Sequence, residues 1–207
     1  MKKPKANAVI GTALINQMMK DRSIRTSITK DSFLYFFHFY YAHYVQYATA
    51  DFQKEIIHHL EKSHKENFYV CAFRGSGKST MVTTAYPIWS ILGKQQKKFV
   101  MIFTQTRVQA KQHMMNIRHE LEGNRMLKND LGPFQEESDE WGSYSLVFKK
   151  HGARITVASS EQSIRGSRHN QHRPDLFICD DVEDVQSTKT REGRNKTYNW
   201  LRSEVVP

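Results

Sequence analysis

The sequence Phe68-Tyr-Val-Cys-Ala-Phe-Arg-Gly-Ser-Gly-Lys-Ser-Thr80 decides the fold, because it joins three patterns in one run. Residues 68–73 are mostly apolar and predict a buried strand. Residues 75–80 are rich in Gly and Ser, and apolar residues then recur at helical spacing, at Met81, Ala85, Ile88, Trp89 and Leu92. A strand, a Gly-rich loop ending in Lys-Ser and a helix together predict a phosphate-binding loop.

The residue types of this loop fit the chemistry of phosphate binding. Glycines allow the backbone to curl until successive N–H groups point at phosphate oxygens, and the following helix adds the positive end of its dipole. Lys78 would reach the β- and γ-phosphates of ATP, and the Ser79 hydroxyl would hold Mg²⁺. The usual pattern begins with Gly, whereas this chain has Ala72, the next smallest residue. The predicted nucleotide-binding residues of the loop are Gly75, Ser76, Gly77, Lys78, Ser79 and Thr80.

A second motif lies roughly a hundred residues downstream and supplies carboxylates. The apolar residues 176–179 predict a strand that ends in Asp180 and Asp181, with Glu183 close behind. Ligands bind at the carboxyl ends of parallel strands, so we assign Asp180 to Mg²⁺. Hydrolysis also needs a group that activates water, and we slightly favour Asp181 over Glu183 for this role. With strands near residues 68, 99 and 176 and helices between them, the pattern predicts an α/β fold with a mainly parallel central sheet.

Other segments predict the surroundings of this sheet. The aromatic residues 33–47 predict a helix packed on the domain, with a partner-docking surface as the alternative. Pro87 predicts a kink or an early end of the helix that follows the phosphate loop. Residues 106–122 predict a helix with one apolar stripe, and residues 145–158 predict a β-hairpin.

The charge of the chain favours a polyanionic partner. The formal net charge is +10 over 207 residues. Residues 1–30 hold seven Lys or Arg residues against one Asp, and they predict a weakly ordered basic extension. Such a segment would contact nucleic acid or remain a solvated arm. No apolar run reaches the roughly 18 residues of a membrane span, so no membrane contact is expected.

Together the two motifs resemble the N-terminal ATPase domain of tailed-phage terminase large subunits, over about residues 30–207. Residues 72–79 resemble the family's Walker A motif, which often carries an Arg, here Arg74. Phe52-Gln53 resembles its adenine-recognition motif, Thr104-Gln-Thr106 its motif Ia, and the run from Ser163 to Glu183 its approach to Walker B.

The resemblance implies a P-loop NTPase of the ASCE type that hydrolyses ATP with Mg²⁺. It implies a homo-oligomeric ring that moves double-stranded DNA into a procapsid, with the portal protein and the small terminase subunit as partners, in the host cytoplasm. Arg74 would then contact the γ-phosphate and stabilise transition-state charge, and Gln53 would read adenine. Arg165 and Arg168 would contact phosphates of ATP or DNA, or lie in a solvated loop.

The chain also departs from the resemblance. Terminases continue with a coupling-motif strand, inserted between the Walker A and Walker B strands, and then a nuclease. We therefore expect a basic extension at residues 1–30 and an ATPase domain at residues 31–207 that stops before this strand and hydrolyses ATP weakly alone.

Three alternatives remain on sequence grounds. A helicase-like DNA-dependent ATPase shares both Walker motifs and the Gln motif. A non-hydrolysing nucleotide-binding assembly module fits the carboxylates Asp180, Asp181 and Glu183 less well. A small-molecule kinase fits least, because no acceptor pocket or lid is evident.

Overall fold

A computed structural model describes residues 14–62, 67–134, 140–160 and 162–205. The helices of the first half are α1 Arg22–Asp31, α2 Phe33–Tyr40, α3 Asp51–Glu61 and α4 Tyr86–Leu92, with a π-helical segment Thr80–Ala85 directly before α4. The helices of the second half are α5 Arg107–Gly123, α6 Arg125–Leu131, α7 Val185–Lys189 and α8 Arg191–Trp200, and a second π-helical segment Leu201–Val205 follows α8. The strands are β1 Phe99–Thr104, β2 Ser145–Phe148, β3 Ala153–Ser159 and β4 Leu176–Cys179.

The strands form one four-stranded sheet in the order β2-β3-β1-β4. β1 lies parallel to both β3 and β4, whereas β2 and β3 form the predicted antiparallel hairpin. All six residues of β1 are buried, as expected for a strand covered on both faces. The predicted α/β class with a mainly parallel sheet is therefore confirmed.

The two faces of the sheet carry different cores. Val100 and Ile102 of β1 belong to the larger core with α2, α4 and α5, whereas Phe99, Met101 and Phe103 belong to a smaller one. This alternation follows from the two-residue period of a strand. The smaller core is covered by residues after β4, which include Trp200, Leu201 and Val205.

The predicted strand at residues 68–73 is wrong. These residues pair with no strand, and Tyr69 and Phe73 are 88% and 68% exposed. A strand exists only where a neighbouring strand shares its backbone hydrogen bonds. Among the described residues, β4 ends the sheet on this side.

Two expectations about helices also need correction. Residues 1–30 were expected to be weakly ordered, and residues 1–13 lie outside the part of the chain that the structure describes. Within the described part, α1 is a regular helix whose N-cap Asp21 accepts hydrogen bonds from the N–H groups of Ser23 and Ile24. Pro87 does not end its helix early; it lies in the first turn of α4, which continues to Leu92. Instead the preceding turns adopt π spacing, in which the Tyr86 N–H bonds to the carbonyl of Met81 five residues back.

The first part of the aromatic segment forms a helix, α2, that packs into the core as predicted, whereas Tyr44 and Tyr47 at its end are exposed. Phe33, Phe36, Phe37, Tyr40 and Tyr41 are all buried, and the Phe33 ring lies 5.4 Å from that of Trp89. None of the described helices combines the length and the apolar character needed to cross a bilayer.

Candidate functional site

The loop before the first π-helical segment has the curled backbone that its glycines predict. Gly75 and Gly77 have φ angles of 84° and 79°, a region in which a Cβ is strained, and Ser76 lies buried between them. The Gly77 carbonyl accepts a hydrogen bond from the Met81 N–H at 3.0 Å, which begins the helix. Alternating backbone conformations of this kind turn successive N–H groups toward one point and form an anion-binding concavity.

Gln53 of α3 braces this loop. Its Nε2 donates to the Ser76 carbonyl at 2.8 Å, and its Oε1 accepts from the Ala50 N–H at 3.0 Å. The loop is therefore tied to the start of α3. One amide hydrogen and one lone pair of Gln53 remain for the predicted contact with adenine.

Asp180 is the point at which the two sequence motifs meet. It follows β4, where its N–H donates to the Phe103 carbonyl at 2.9 Å, and it is only 7% exposed. The Thr83 hydroxyl donates to Asp180 Oδ2 at 2.7 Å across 97 residues of sequence. Because Thr83 lies one turn after Ser79, this bond holds the phosphate-loop helix against the acidic end of β4.

His113 of α5 faces the same carboxylate from another side. Its Nε2 lies 3.8 Å from Asp180 Oδ2, and its Nδ1 is buried with no hydrogen-bond partner among the described residues. Burial lowers the pKa of His113, and the nearby charges of Asp180 and Asp181 partly oppose this shift. A neutral imidazole is therefore expected beside Asp180 at neutral pH.

The two candidates for the water-activating group differ in position. Asp181 has a left-handed backbone with φ of 48°, and its carbonyl accepts from the Gln105 N–H at the end of β1. The negative charge of Asp181 acts to raise the pKa of His113, so Asp181 lies close to the Asp180 site. Glu183 is exposed two residues further on, with no contact to the phosphate loop among the described residues. Asp181 is exposed as well, so the choice between the two carboxylates stays a prediction.

The donor set at this edge fits Mg²⁺. Asp180 Oδ2 accepts from Thr83, and no described group donates to Oδ1, which is left for a cation or its water. The described residues include no group of three His, Cys, Asp or Glu side chains that could hold a metal ion alone. Mg²⁺ commonly uses one or two protein ligands together with waters and substrate phosphates, so Ser79 and Asp180 would suffice.

The remaining predicted residues lie around the loop. Arg74 is exposed and pairs with no described acidic side chain, whereas Lys78, Ser79 and Thr80 are partly buried. Arg165 pairs with Glu204 at 2.9 Å, and Arg168 is exposed. A hollow of about 300 Å³ separates α3 from residues 68–71, lined by Phe52, Glu55, Ile56, His59, Phe68, Tyr69, Val70 and Cys71.

Sequence reasoning missed Thr83 and His113. Both residues fall in segments predicted to be helical, and nothing in their spacing along a helix indicates a contact with Asp180. A weak signal existed for Thr83, because Ser79 and Thr83 are four residues apart and share a helical face.

Comparison with known protein families identifies a relationship. The family described as DEAD/DEAH box helicase matches residues 50–205, from the residue before α3 to the end of the second π-helical segment. No curated protein matches the sequence. The matched range includes Gln53, the phosphate loop and Asp180.

Proposed function

The chain belongs to the DEAD/DEAH box helicase family, and from this premise we propose that it is a Mg²⁺-dependent ATPase stimulated by double-stranded DNA. Membership implies ATP binding and NTPase activity in general. The observation that carries the proposal is the 2.7 Å bond from Thr83 to Asp180, which brings the phosphate loop and the acidic end of β4 into one site. The family match favours this helicase-like ATPase over the packaging motor suggested by the sequence.

The loop would bind the triphosphate through its backbone. The N–H groups between Gly75 and Thr80 would bind phosphate oxygens, and the Lys78 ammonium would neutralise charge on the β- and γ-phosphates. The hollow beside α3 offers aromatic surface for the base, and Gln53 of the same helix contacts the phosphate loop at Ser76. Binding there would fix the γ-phosphate near the carboxyl end of β4.

Hydrolysis would then need one proton acceptor. A water attacks the γ-phosphorus, the bond to the β-phosphate oxygen breaks, and Asp181 or Glu183 receives the proton of the water. Ser79 and Asp180 would hold Mg²⁺, which neutralises charge that develops on the phosphate oxygens. Arg74, exposed beside the loop, would stabilise the same charge.

A polyanionic partner fits the charge of the chain. The net charge of +10 produces a positive potential that attracts nucleic acid. The proposal is tested by measuring phosphate release from ATP with and without double-stranded DNA and Mg²⁺. Turnover should require Mg²⁺ and rise severalfold with DNA; turnover indifferent to DNA at low salt would contradict the DNA-stimulated reading.

The Thr83 hydroxyl is expected to position Asp180. Thr83→Val keeps the shape but removes the donor, so turnover and Mn²⁺ affinity, measured by electron paramagnetic resonance, should both fall about 10–100-fold. Thr83→Ser should restore both because it retains the hydroxyl. Thr84→Val is the matched control, since Thr84 is equally buried but makes no described bond to Asp180. Equal losses of turnover and Mn²⁺ affinity for Thr83→Val and Thr84→Val would show that Thr83 contributes only through packing.

A second, finer candidate is the DNA-packaging ATPase of a terminase large subunit. It is favoured by Arg74, which the terminase Walker A motif often carries and which here has no described acidic partner. The motor would form a homo-oligomeric ring with a portal protein and a small terminase subunit. ATP-driven protection of DNA inside procapsids would support it, whereas ATP-driven strand separation without packaging would exclude it.

A further inference from the structure

The last helical segment presents an unusually basic surface. Between residues 187 and 205 there are five cations, Lys189, Arg191, Arg194, Lys196 and Arg202, against the two acids Glu192 and Glu204. All five cations are exposed, α8 has no buried residue, and none of the five forms an ion pair with a described carboxylate. Uncompensated cations on one helix attract a polyanion.

The basic surface also includes a shallow and largely open depression. The depression, of about 640 Å³, lies along α8 and is lined by Arg191, Glu192, Asn195, Lys196 and Asn199. Arginine, lysine and asparagine side chains supply N–H donors, which are the groups that bind phosphate and sugar oxygens. The depression has four such donor residues and a single acid.

The cations are held on a fixed support. The inner side of the segment packs on the sheet, where the Trp200 ring lies 5.3 Å from that of Phe103. The Arg194 guanidinium donates to the Thr188 carbonyl at 2.7 Å, and Arg202 lies over the Tyr198 ring at 5.8 Å. Anchored side chains lose less conformational entropy on binding than free ones.

Glu204 joins this segment to a second basic element. Its carboxylate accepts from the Ile164 N–H at 3.0 Å and pairs with Arg165 at 2.9 Å. The loop after β3 is thereby fixed beside the helix, and Arg165 remains 69% exposed. One acid of the region is thus used internally, which leaves the outward face more positive.

We propose that the α8 surface, made of Arg191, Arg194, Asn195, Lys196, Asn199 and Arg202, binds the phosphate backbone of double-stranded DNA; this inference rests on the proposed function. The twelve residues from Arg191 to Arg202 extend over about 16 Å, which is long enough to contact several phosphates of one strand. Contacts to phosphates carry no sequence information, so the binding is independent of sequence.

The surface fits a duplex better than a single strand. Single-strand sites stack successive bases on several aromatic rings. Tyr198 is the one exposed aromatic residue between residues 187 and 205, which the structure describes throughout, and Arg202 already covers its ring. Phosphate contact is therefore the interaction that this face provides.

The test compares two triple variants of equal charge in the full chain. Arg191→Gln/Arg194→Gln/Lys196→Gln alters the α8 surface, and Lys30→Gln/Lys62→Gln/Lys94→Gln removes three exposed cations elsewhere. Fluorescence anisotropy measures binding of a labelled DNA duplex, without nucleotide, from 50 to 200 mM salt. The α8 variant should lose at least tenfold in affinity at low salt, and its slope of log K against log salt should shrink by about 2.7. The control should lose only a few-fold.

Several results would overturn the proposal. Equal losses of DNA affinity in the two variants would show that only net charge matters. Absence of duplex binding by the wild-type chain would show that double-stranded DNA is not the partner. Tighter binding of single-stranded DNA or of RNA than of the duplex would assign the surface to another ligand. The binding measurement contains no nucleotide, so it does not depend on ATP hydrolysis. A chain that hydrolyses no ATP would refute the proposed function, and the binding measurement would still test the α8 surface.

Discussion

Lys78→Ala is expected to lower ATP turnover by about 10²–10³-fold and to weaken ATP binding. Removal of one group that stabilises transition-state charge costs about that much in other enzymes, because the charge develops where water is excluded. The backbone N–H groups of the loop remain, so the variant should fold normally. Phosphate release and binding of a fluorescent ATP analogue measure the two effects.

Lys94→Ala is the matched control for this loss. Lys94 lies just after α4 and makes only a 3.4 Å ion pair with Asp31, in which both side chains are well exposed. Exposed pairs contribute little, so turnover should match the wild type. Wild-type turnover in Lys78→Ala would show that the phosphate loop takes no part in hydrolysis.

The carboxylate variants should behave differently from Lys78→Ala. Asp181→Asn and Glu183→Gln keep the phosphate-binding groups, so both should still bind ATP. The variant that abolishes turnover identifies the proton acceptor. The position of Asp181 beside Asp180 and His113 leads us to expect the larger loss from Asp181→Asn.

The largest expected effect on stability concerns the ion pair of Arg25 with Asp130. The side chain of Asp130 is 1% exposed, and the Arg25 guanidinium binds it in a fork, with Nε–Oδ2 at 2.6 Å and Nη2–Oδ1 at 2.7 Å. The Tyr40 hydroxyl donates to Oδ2 at 3.0 Å, and the Arg22 guanidinium donates to the Asp130 carbonyl. This network fastens α1 to α6, and the hydrogen bonds to Asp130 raise the pKa of Arg25 despite its burial.

Arg25→Met should therefore lower the free energy of unfolding by about 3–5 kcal/mol, because the buried carboxylate loses its bidentate partner and keeps only the exposed Arg22 guanidinium, at 3.6 Å from Oδ1. Urea denaturation measures the change as a shift of the midpoint. Arg25→Met combined with Asp130→Leu should recover much of the loss, since the double variant buries no unpaired charge. Lys54→Ala, which breaks the exposed pair with Asp51, is the control and should not shift the midpoint measurably. A single variant as stable as the control would show that the network does not fasten α1.

Much of the sheet could be predicted because its strands are continuous apolar runs. The segments around residues 99–103, 145–158 and 176–179 became β1, the hairpin and β4. The helix predicted at residues 106–122 became α5 because its apolar stripe faces the core. Residues 14–30 were misjudged, since what orders α1 is a partner 105 residues away, at Asp130.

The curl of the phosphate loop was predictable from local sequence, because Gly75 and Gly77 lack the Cβ that would strain their positive φ angles. The sequence also placed Asp180 at the end of a strand, which the apolar run before it specifies. That residues 68–73 are not a strand depends on long-range contacts, because a strand requires a hydrogen-bonding neighbour and β4 ends the sheet on this side in the part of the chain described. The contacts of Thr83 and His113 with Asp180 are likewise visible only in the folded chain, because they join residues far apart in sequence and leave no local pattern.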